Sequence, residues 1–305
     1  SQETRYRLLE CVYQDAELKT CSEINPEANW KVIRSESGSD GRKVYSFTFT
    51  ARCDMQQAGV AVAFDERAWS SDNYVMIPSS VYNGNRQRIV NREYATGLDK
   101  TDYFRRDLAL TSNPIPQLSP EFGAESRLEV LTNNAATPAI AYLERSQKRG
   151  TILLTDQGIE WNGQILDNAL IVEESKDRST ASFVISAPGV REKKPEFIGF
   201  SQSPDRGINV RKGDQITLRI TKLTFYCESV PELLNQFMQQ RKSHTGGPAP
   251  RNLMPMSEVL DRMVKNIDER YYQGEKWEYY CPENADWMSY GWIGGLMNTC
   301  LLYTS

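Results

Sequence analysis

Lys43-Val44-Tyr45-Ser46-Phe47-Thr48-Phe49-Thr50-Ala51-Arg52 decides the fold class. Tyr45, Phe47 and Phe49 alternate with Ser46, Thr48 and Thr50. Successive side chains leave opposite faces of a strand, so a period of two in aromatic and β-branched residues marks a half-buried antiparallel strand. Upstream, Ser37-Gly38-Ser39-Asp40-Gly41 reads as a turn and Tyr6 to Tyr13 as a first strand. Downstream, Gly59 to Phe64 repeats the alternation, with Val60, Val62 and Phe64 on one face.

The same signature recurs further along. Arg127 to Tyr142 reads as extended chain broken at Asn133-Asn134. Thr151 to Thr155 leads into Gly158 to Trp161 and an Asn162-Gly163 corner, a dipeptide suited to the positive φ angles of a tight hairpin. Ala169 to Glu173 and Ser182 to Ala187 flank the polar turn Ser175 to Ser179. Ile216, Leu218 and Ile220 alternate inward, but Leu223 and Phe225 fall in the opposite phase, which predicts a bulge near Lys222. Pro114, Pro116 and Pro120 mark Ser112 to Gly123 as a surface crossover. Many short strands with turn-rich links predict a mostly β fold, a large antiparallel β-sandwich over residues 1–228.

After Cys227 the period changes. Ser229 and Glu232 form a capping-box pattern with Pro231 in the first turn, and Leu233, Leu234, Phe237 and Met238 mark an apolar helical face. Gly246-Gly247-Pro248-Ala249-Pro250 has the composition of a linker, and His244 is expected to sit exposed in it. A second helix begins at Ser257, with Leu260, Met263, Val264 and Ile267 at helical spacing. The expected division is a linker helix and linker over 229–252 and the start of a helical domain over 253–299. Cys300-Leu301-Leu302-Tyr303-Thr304-Ser305 spells the translation of the end sequence that transposase-based library preparation adds to DNA. The expectation for 300–305 is adapter translation cutting short a longer frame; the alternative is a native tail.

With 10% aromatic and 25% charged residues the chain is globular rather than disordered. Its net charge of −4 argues against wrapping a nucleic acid, which needs a basic surplus. No apolar run reaches the roughly 20 residues of a membrane span. The single His244 and the absence of a Cys-x-x-Cys pair argue against structural zinc, and neither a metal nor a cofactor is expected. Cys11 and Cys21 either bridge two strand ends or remain buried thiols.

Two stretches combine flat aromatics with amides and charges. In Trp69 to Arg88, Trp69, Tyr74 and Tyr82 stand with Asn73, Asn83, Asn85, Arg86 and Arg88. Aromatic rings suit the C–H faces of a sugar, while amides and guanidiniums pair with its hydroxyls. The competing reading is structural: Asn83-Gly84-Asn85 makes a corner and Tyr82 packs in the core. In Trp277 to Trp292, Trp287 and Trp292 flank Gly291 and Gly294-Gly295 and are the better cleft candidates; packing of a helical hairpin is the competing role. The candidate sugar-contacting residues are therefore Trp69, Tyr74, Tyr82, Asn83, Asn85, Arg86, Trp287 and Trp292. Asp65, Glu66 and Asp72, or Glu278 and Asp286, are candidate carboxylates, though most such acids are solvated surface charges.

The order of parts, with the segments Ile77-Pro78-Ser79-Ser80-Val81-Tyr82-Asn83-Gly84-Asn85-Arg86 and Tyr290-Gly291-Trp292-Ile293-Gly294-Gly295-Leu296, resembles secreted bacterial carbohydrate-active enzymes of the (α/α)6-toroid, six-hairpin glycosidase-like type. The resemblance covers most of residues 1–299. It implies a supersandwich-like domain bracing a truncated toroid, a polysaccharide or oligosaccharide partner, and a secreted or periplasmic location. It also implies catalytic acids that lie mainly in the missing toroid, so no catalytic residue is assigned. A glycoside hydrolase fragment, inactive by itself, is the first reading. The alternatives are a non-catalytic carbohydrate-binding or cell-surface sandwich and a toroid polysaccharide lyase.

Overall fold

Tyr45, Phe47 and Phe49 all turn into one core in the computed structural model, and Phe47 and Phe49 are fully buried. The structure describes residues 6–14, 17–25, 28–39, 41–86, 89–91, 109–111, 115–191, 193–195, 200–245 and 254–271. Within them, β1 (Tyr6–Gln14), β2 (Glu17–Glu23), β3 (Trp30–Ser39), β4 (Arg42–Ala51) and β5 (Met55–Glu66) come first. Short strands β6 (Tyr74–Met76), β7 (Ile89–Asn91) and β8 (Ala109–Thr111) follow. Next are β9 (Ser126–Leu131), β10 (Ala139–Glu144), β11 (Arg149–Thr155), β12 (Gly158–Trp161) and β13 (Gln164–Asp167). The later strands are β14 (Ala169–Glu174), β15 (Ala181–Ala187), β16 (Lys193–Pro195), β17 (Phe200–Gln202), β18 (Ile208–Val210) and β19 (Gln215–Tyr226). Helices α1 (Val230–Thr245) and α2 (Met256–Tyr271) close the order.

One sheet runs β2-β1-β5-β15-β14-β9, with β18 also on β5; the other runs β3-β4-β19-β11-β10-β6. Val60, Val62, Phe64, Leu170, Val172 and Phe183 from the first sheet share a buried cluster with Phe47, Phe49, Tyr142, Ile216, Leu218 and Ile220 from the second. Two apolar inner faces meeting in one core make a β-sandwich, as the alternation predicts. Asn162 and Gly163 have φ of +50° and +75° between β12 and β13, the left-handed pair that a tight hairpin needs.

The predicted bulge near Lys222 is not there. β19 pairs with β4 and with β11 through Lys222 without a register shift. The change of phase arises because α1 covers the outer face of this sheet. Leu233 and Phe237 of α1 pack with Met76, Ala141, Leu143 and Leu223. Residues on both faces of β19 are thus buried there, and a break in alternation marks a new cover rather than an extra residue.

The N-terminus of α1 departs slightly from the predicted box. Ser229 Oγ accepts the Glu232 N–H at 3.4 Å, but Glu232 Oε2 accepts the N–H of Glu228, one residue earlier, at 2.8 Å. α1 continues to Thr245, so His244 lies in its last turn and not in the linker where the sequence reading put it.

Cys11 and Cys21 are cross-strand partners in β1 and β2. The Ile24 N–H donates to the Leu8 carbonyl in the same ladder, so alternation makes the Cys11/Cys21 pair a non-hydrogen-bonded one. Cys11 is buried, and no disulfide is formed among the described cysteines.

The chain divides into two compact units, Ser1–Thr245 and Gly246–Ser305. The first holds the sandwich and α1; the second contributes α2. Residues 272–305, including Trp287, Trp292, most of the expected helical domain and the six residues read as adapter translation, lie outside the described residues. Among the described residues no helix is long and apolar enough to cross a membrane, which says nothing of strands.

Candidate functional site

One end of the sandwich carries a layer of buried charge. The inner-face series Val60-Val62-Phe64 of β5 ends on Glu66, and Ile140-Tyr142 of β10 ends on Glu144. Leu170-Val172 of β14 ends on Glu174, and Ile216-Leu218-Ile220 of β19 ends on Lys222. Each ionisable residue takes the next inward position of its strand, where Glu144 and Glu174 are buried and Glu66 and Lys222 half-buried.

Buried charge is tolerable only when paired and hydrogen-bonded. Glu174, 4% exposed, meets this on every side. Trp69 Nε1 donates to Oε1 at 2.7 Å, Ser126 Oγ to Oε2 at 2.7 Å and Arg86 Nη1 to Oε2 at 2.9 Å. Arg86 Nη2 makes a further short contact to Oε1. Arg178 Nε stands 3.5 Å from Oε2. Burial by itself raises the Glu174 carboxyl. The hydrogen bonds from Arg86, Ser126 and Trp69, with the Arg86 charge, outweigh it and hold the group below the ordinary glutamate value. Arg178 is 2% exposed and donates to the carbonyls of Glu121, Ser175 and Ala124 at 2.6, 2.7 and 3.1 Å.

A second network lies beside the first. Tyr142 Oη donates to Glu66 Oε1 at 2.7 Å, and Arg149 Nη2 donates to Glu66 Oε2 at 2.9 Å. Arg149 also grips Glu144, Nε to Oε2 at 2.5 Å and Nη2 to Oε1 at 2.7 Å. Lys222 Nζ sits 5.3 Å from the centroid of the Phe64 ring. Burial lifts the Glu144 carboxyl above its ordinary value and lowers Lys222 below its own. Burial, then the nearby Glu66 charge, pushes the Tyr142 phenol far up. The networks join through aromatics: Tyr142 stacks on Phe183 at 3.9 Å, and Trp69 meets both rings edge-on.

Two surface features rest on this layer. The first is the Tyr82–Arg86 corner. Asn83, Gly84 and Asn85 have φ of +53°, +66° and +51°, a run of left-handed residues that costs free energy unless the surroundings impose it. A Cβ on Gly84 would lie 3.0 Å from Leu118 Cδ1, so only glycine fits without movement. Asn85, buried, imposes the conformation. Its Oδ1 accepts the Tyr82 N–H at 3.0 Å, and its Nδ2 donates to the Ser80 and Pro116 carbonyls at 2.9 and 2.8 Å. Tyr82 remains 52% exposed, yet its hydroxyl accepts the Ser79 N–H at 3.2 Å.

The second feature is a groove of about 430 Å³ lined by Arg7, Asp65, Glu66 and Arg67 with hydroxyls of Thr180 and Ser182. A larger hollow of about 650 Å³ has described walls from α2 alone. Among the described residues no group of three or more metal-ligating side chains is gathered.

The sequence-based candidates thus separate. Tyr82 and Asn83 are exposed. Trp69, Tyr74 and Asn85 are buried, and Arg86 is nearly so, with its guanidinium on Glu174. Burial is the main cause that raises the Tyr74 phenol. Arg88, Trp287 and Trp292 lie outside the described residues. The sequence reading missed Glu144, Arg149, Glu174 and Arg178. For the two acids a signal existed: period two, extended one step past the last apolar residue, lands on a charge.

No protein-family model and no curated protein matches the sequence. Among solved structures, the chain is similar to a protein from Escherichia coli K12 provisionally named an aldose 1-epimerase, at 9% identity and a TM-score of 0.35, covering 74% of this chain and 67% of that one. It is similar to Slr1438 from Synechocystis sp. PCC 6803 at 9% identity and a TM-score of 0.33, covering 74% of this chain and 63% of that one. A third is the alpha-N-acetylgalactosaminidase NagBb from Bifidobacterium bifidum, in complex with GalNAc, at 7% identity and a TM-score of 0.34. That match covers 89% of this chain and 38% of NagBb. Likeness at this level carries no argument about chemistry.

Proposed function

We propose that this is a carbohydrate-handling sandwich whose Tyr82–Asn83 corner is a platform for a sugar ring. The observation that carries the reading is that Tyr82 is half-exposed and held at both ends. Ser79 fixes its hydroxyl, and Asn85 fixes its backbone. An exposed ring that cannot swing loses little freedom when a ligand stacks on it, which is how preorganisation raises affinity. Asn83 beside it offers an amide to hydroxyls.

The fuller proposal is that the sandwich braces an (α/α)6 toroid in a secreted or periplasmic polysaccharide-degrading glycoside hydrolase. A lyase toroid fits the same bracing role. Catalytic acids would then lie outside the described residues. One observation favours the non-catalytic alternative for the sandwich itself: its buried acids, Glu144 and Glu174, are both committed to arginines.

Calorimetry or array binding of the full chain on neutral and acidic glycans tests the platform. Tyr82→Ala is expected to weaken neutral-glycan binding roughly tenfold, about 1.4 kcal/mol, with little change in melting temperature. Asn85→Ala is expected to lower stability by about 1–3 kcal/mol, because it leaves internal donors and acceptors unmet. Unchanged glycan affinity in Tyr82→Ala would remove the platform from the reading.

A further inference from the structure

The groove over Glu66 has charges that can be accounted for one by one. Asp65 is gripped by Arg7, Nε to Oδ2 at 2.6 Å and Nη2 to Oδ1 at 2.9 Å, and takes a short contact from Ser182 Oγ. Burial raises Asp65, but these hydrogen bonds and the Arg7 charge hold its carboxyl below the ordinary value. Glu66 is held by Tyr142 and Arg149, and Glu173 by Arg127 Nη1 at 3.3 Å. Glu174 is enclosed behind them. Every carboxylate of the lining therefore has an arginine.

Arg67 is the exception. It lines the groove and is exposed, and among the described residues it feels Asp65 through charge while making no hydrogen bond. A guanidinium that no described carboxylate engages by hydrogen bond is a fork of donors shaped for one. The rest of the lining selects what carries that carboxylate. Asp65, Glu66 and Glu173 are carboxylates already paired with arginines, and a multiply charged anion such as phosphate would meet all three at close range. Each still has lone pairs to spare and accepts hydrogen bonds from hydroxyl groups. The volume lies in the ordinary range for small-ligand sites.

We propose that this groove binds a uronic-acid unit of a glycan, Arg67 taking its carboxylate and the flanking acids its hydroxyls. This rests on the carbohydrate reading above and narrows it to acidic sugars at a second position. It needs no catalytic step.

Titration calorimetry of the full chain with trimers of galacturonate, glucuronate and mannuronate, and with their neutral methyl esters, tests it. At least one acid trimer is expected to bind, with its ester at least tenfold weaker. Arg67→Gln should lose the same factor for the acid and nothing for the ester, and Arg67→Lys should recover part of it. Among the described residues Arg67 makes no hydrogen bond, so the melting temperature of Arg67→Gln should match the parent. Failure of all three acid trimers to bind, equal affinity for acid and ester, or indifference to Arg67→Gln would each overturn the groove. Tyr82→Ala keeps the two ideas apart. Neutral binding lost in that variant with no acid preference leaves the platform standing without the groove. Acid binding lost only in Arg67→Gln leaves the groove standing without the platform.

Discussion

Glu174→Gln is expected to destabilise the sandwich by about 3–5 kcal/mol, the cost typical of removing one member of a buried ion pair. For a domain of this size that lowers the melting temperature by roughly 6–20 °C. The substitution is nearly isosteric, so packing hardly changes; what changes is charge. Arg86 and Arg178 are left in the interior facing a neutral amide, and Trp69 and Ser126 lose their shared anionic acceptor. The pH dependence follows from the carboxyl being held below the ordinary value in the folded protein. A depressed folded value means that the stabilisation is fully present above about 4.5, the unfolded value, and is lost as pH falls through the folded one. The gap between parent and variant in urea melts should therefore be widest near neutrality and narrow below pH 4.5 because the parent weakens. A gap under about 1 kcal/mol at neutral pH, the level of an exposed pair, would mean that Glu174 is not the anchor of this end.

Arg149→Met should cost a similar amount at pH 8, about 3–5 kcal/mol, for the opposite electrostatic reason. It strands two carboxylates, Glu66 and Glu144, where one guanidinium had bridged them. Its pH signature distinguishes it. Burial already holds Glu144 above the ordinary value with Arg149 present, and removing the arginine pushes it higher still. A carboxyl whose folded value is raised takes up a proton in the folded state first, so stability rises as pH falls through that raised value. The Arg149→Met deficit should shrink between pH 8 and pH 5 because the variant recovers, at pH values where the Glu174→Gln deficit is still constant. Equal deficits at pH 8 and pH 5 would show that Glu144 gains no proton and that the loss is one of packing alone.

The sandwich was legible in the chain because its signals are local. The Tyr45-Phe47-Phe49 alternation, the Asn162-Gly163 corner and the change of period after Cys227 each report on a few consecutive residues, and each became the expected element. The Lys222 misreading shows where locality fails. Leu223 and Phe225 break phase on β19 because α1 covers the outer face, and nothing within β19 announces a cover supplied by another element. Lys222 itself occupies the inward position that alternation assigns it.

The site divides in the same way. That Trp69 to Arg88 is rich in rings, amides and guanidiniums is a matter of composition, and the sequence determined it. Which of those groups face solvent was settled only in three dimensions, by partners far along the chain. Glu174 draws Trp69 and Arg86 inward across 105 and 88 positions, and Asn85 locks its corner partly against Pro116, 31 positions away. Tyr82 keeps its face outward because its own hydroxyl and backbone are held by immediate neighbours. Period-two patterning fixes which face of a strand a residue takes, since the pleat leaves no other choice. Pairing between buried charges depends on which strand ends meet, and only the folded arrangement of the two sheets determines that.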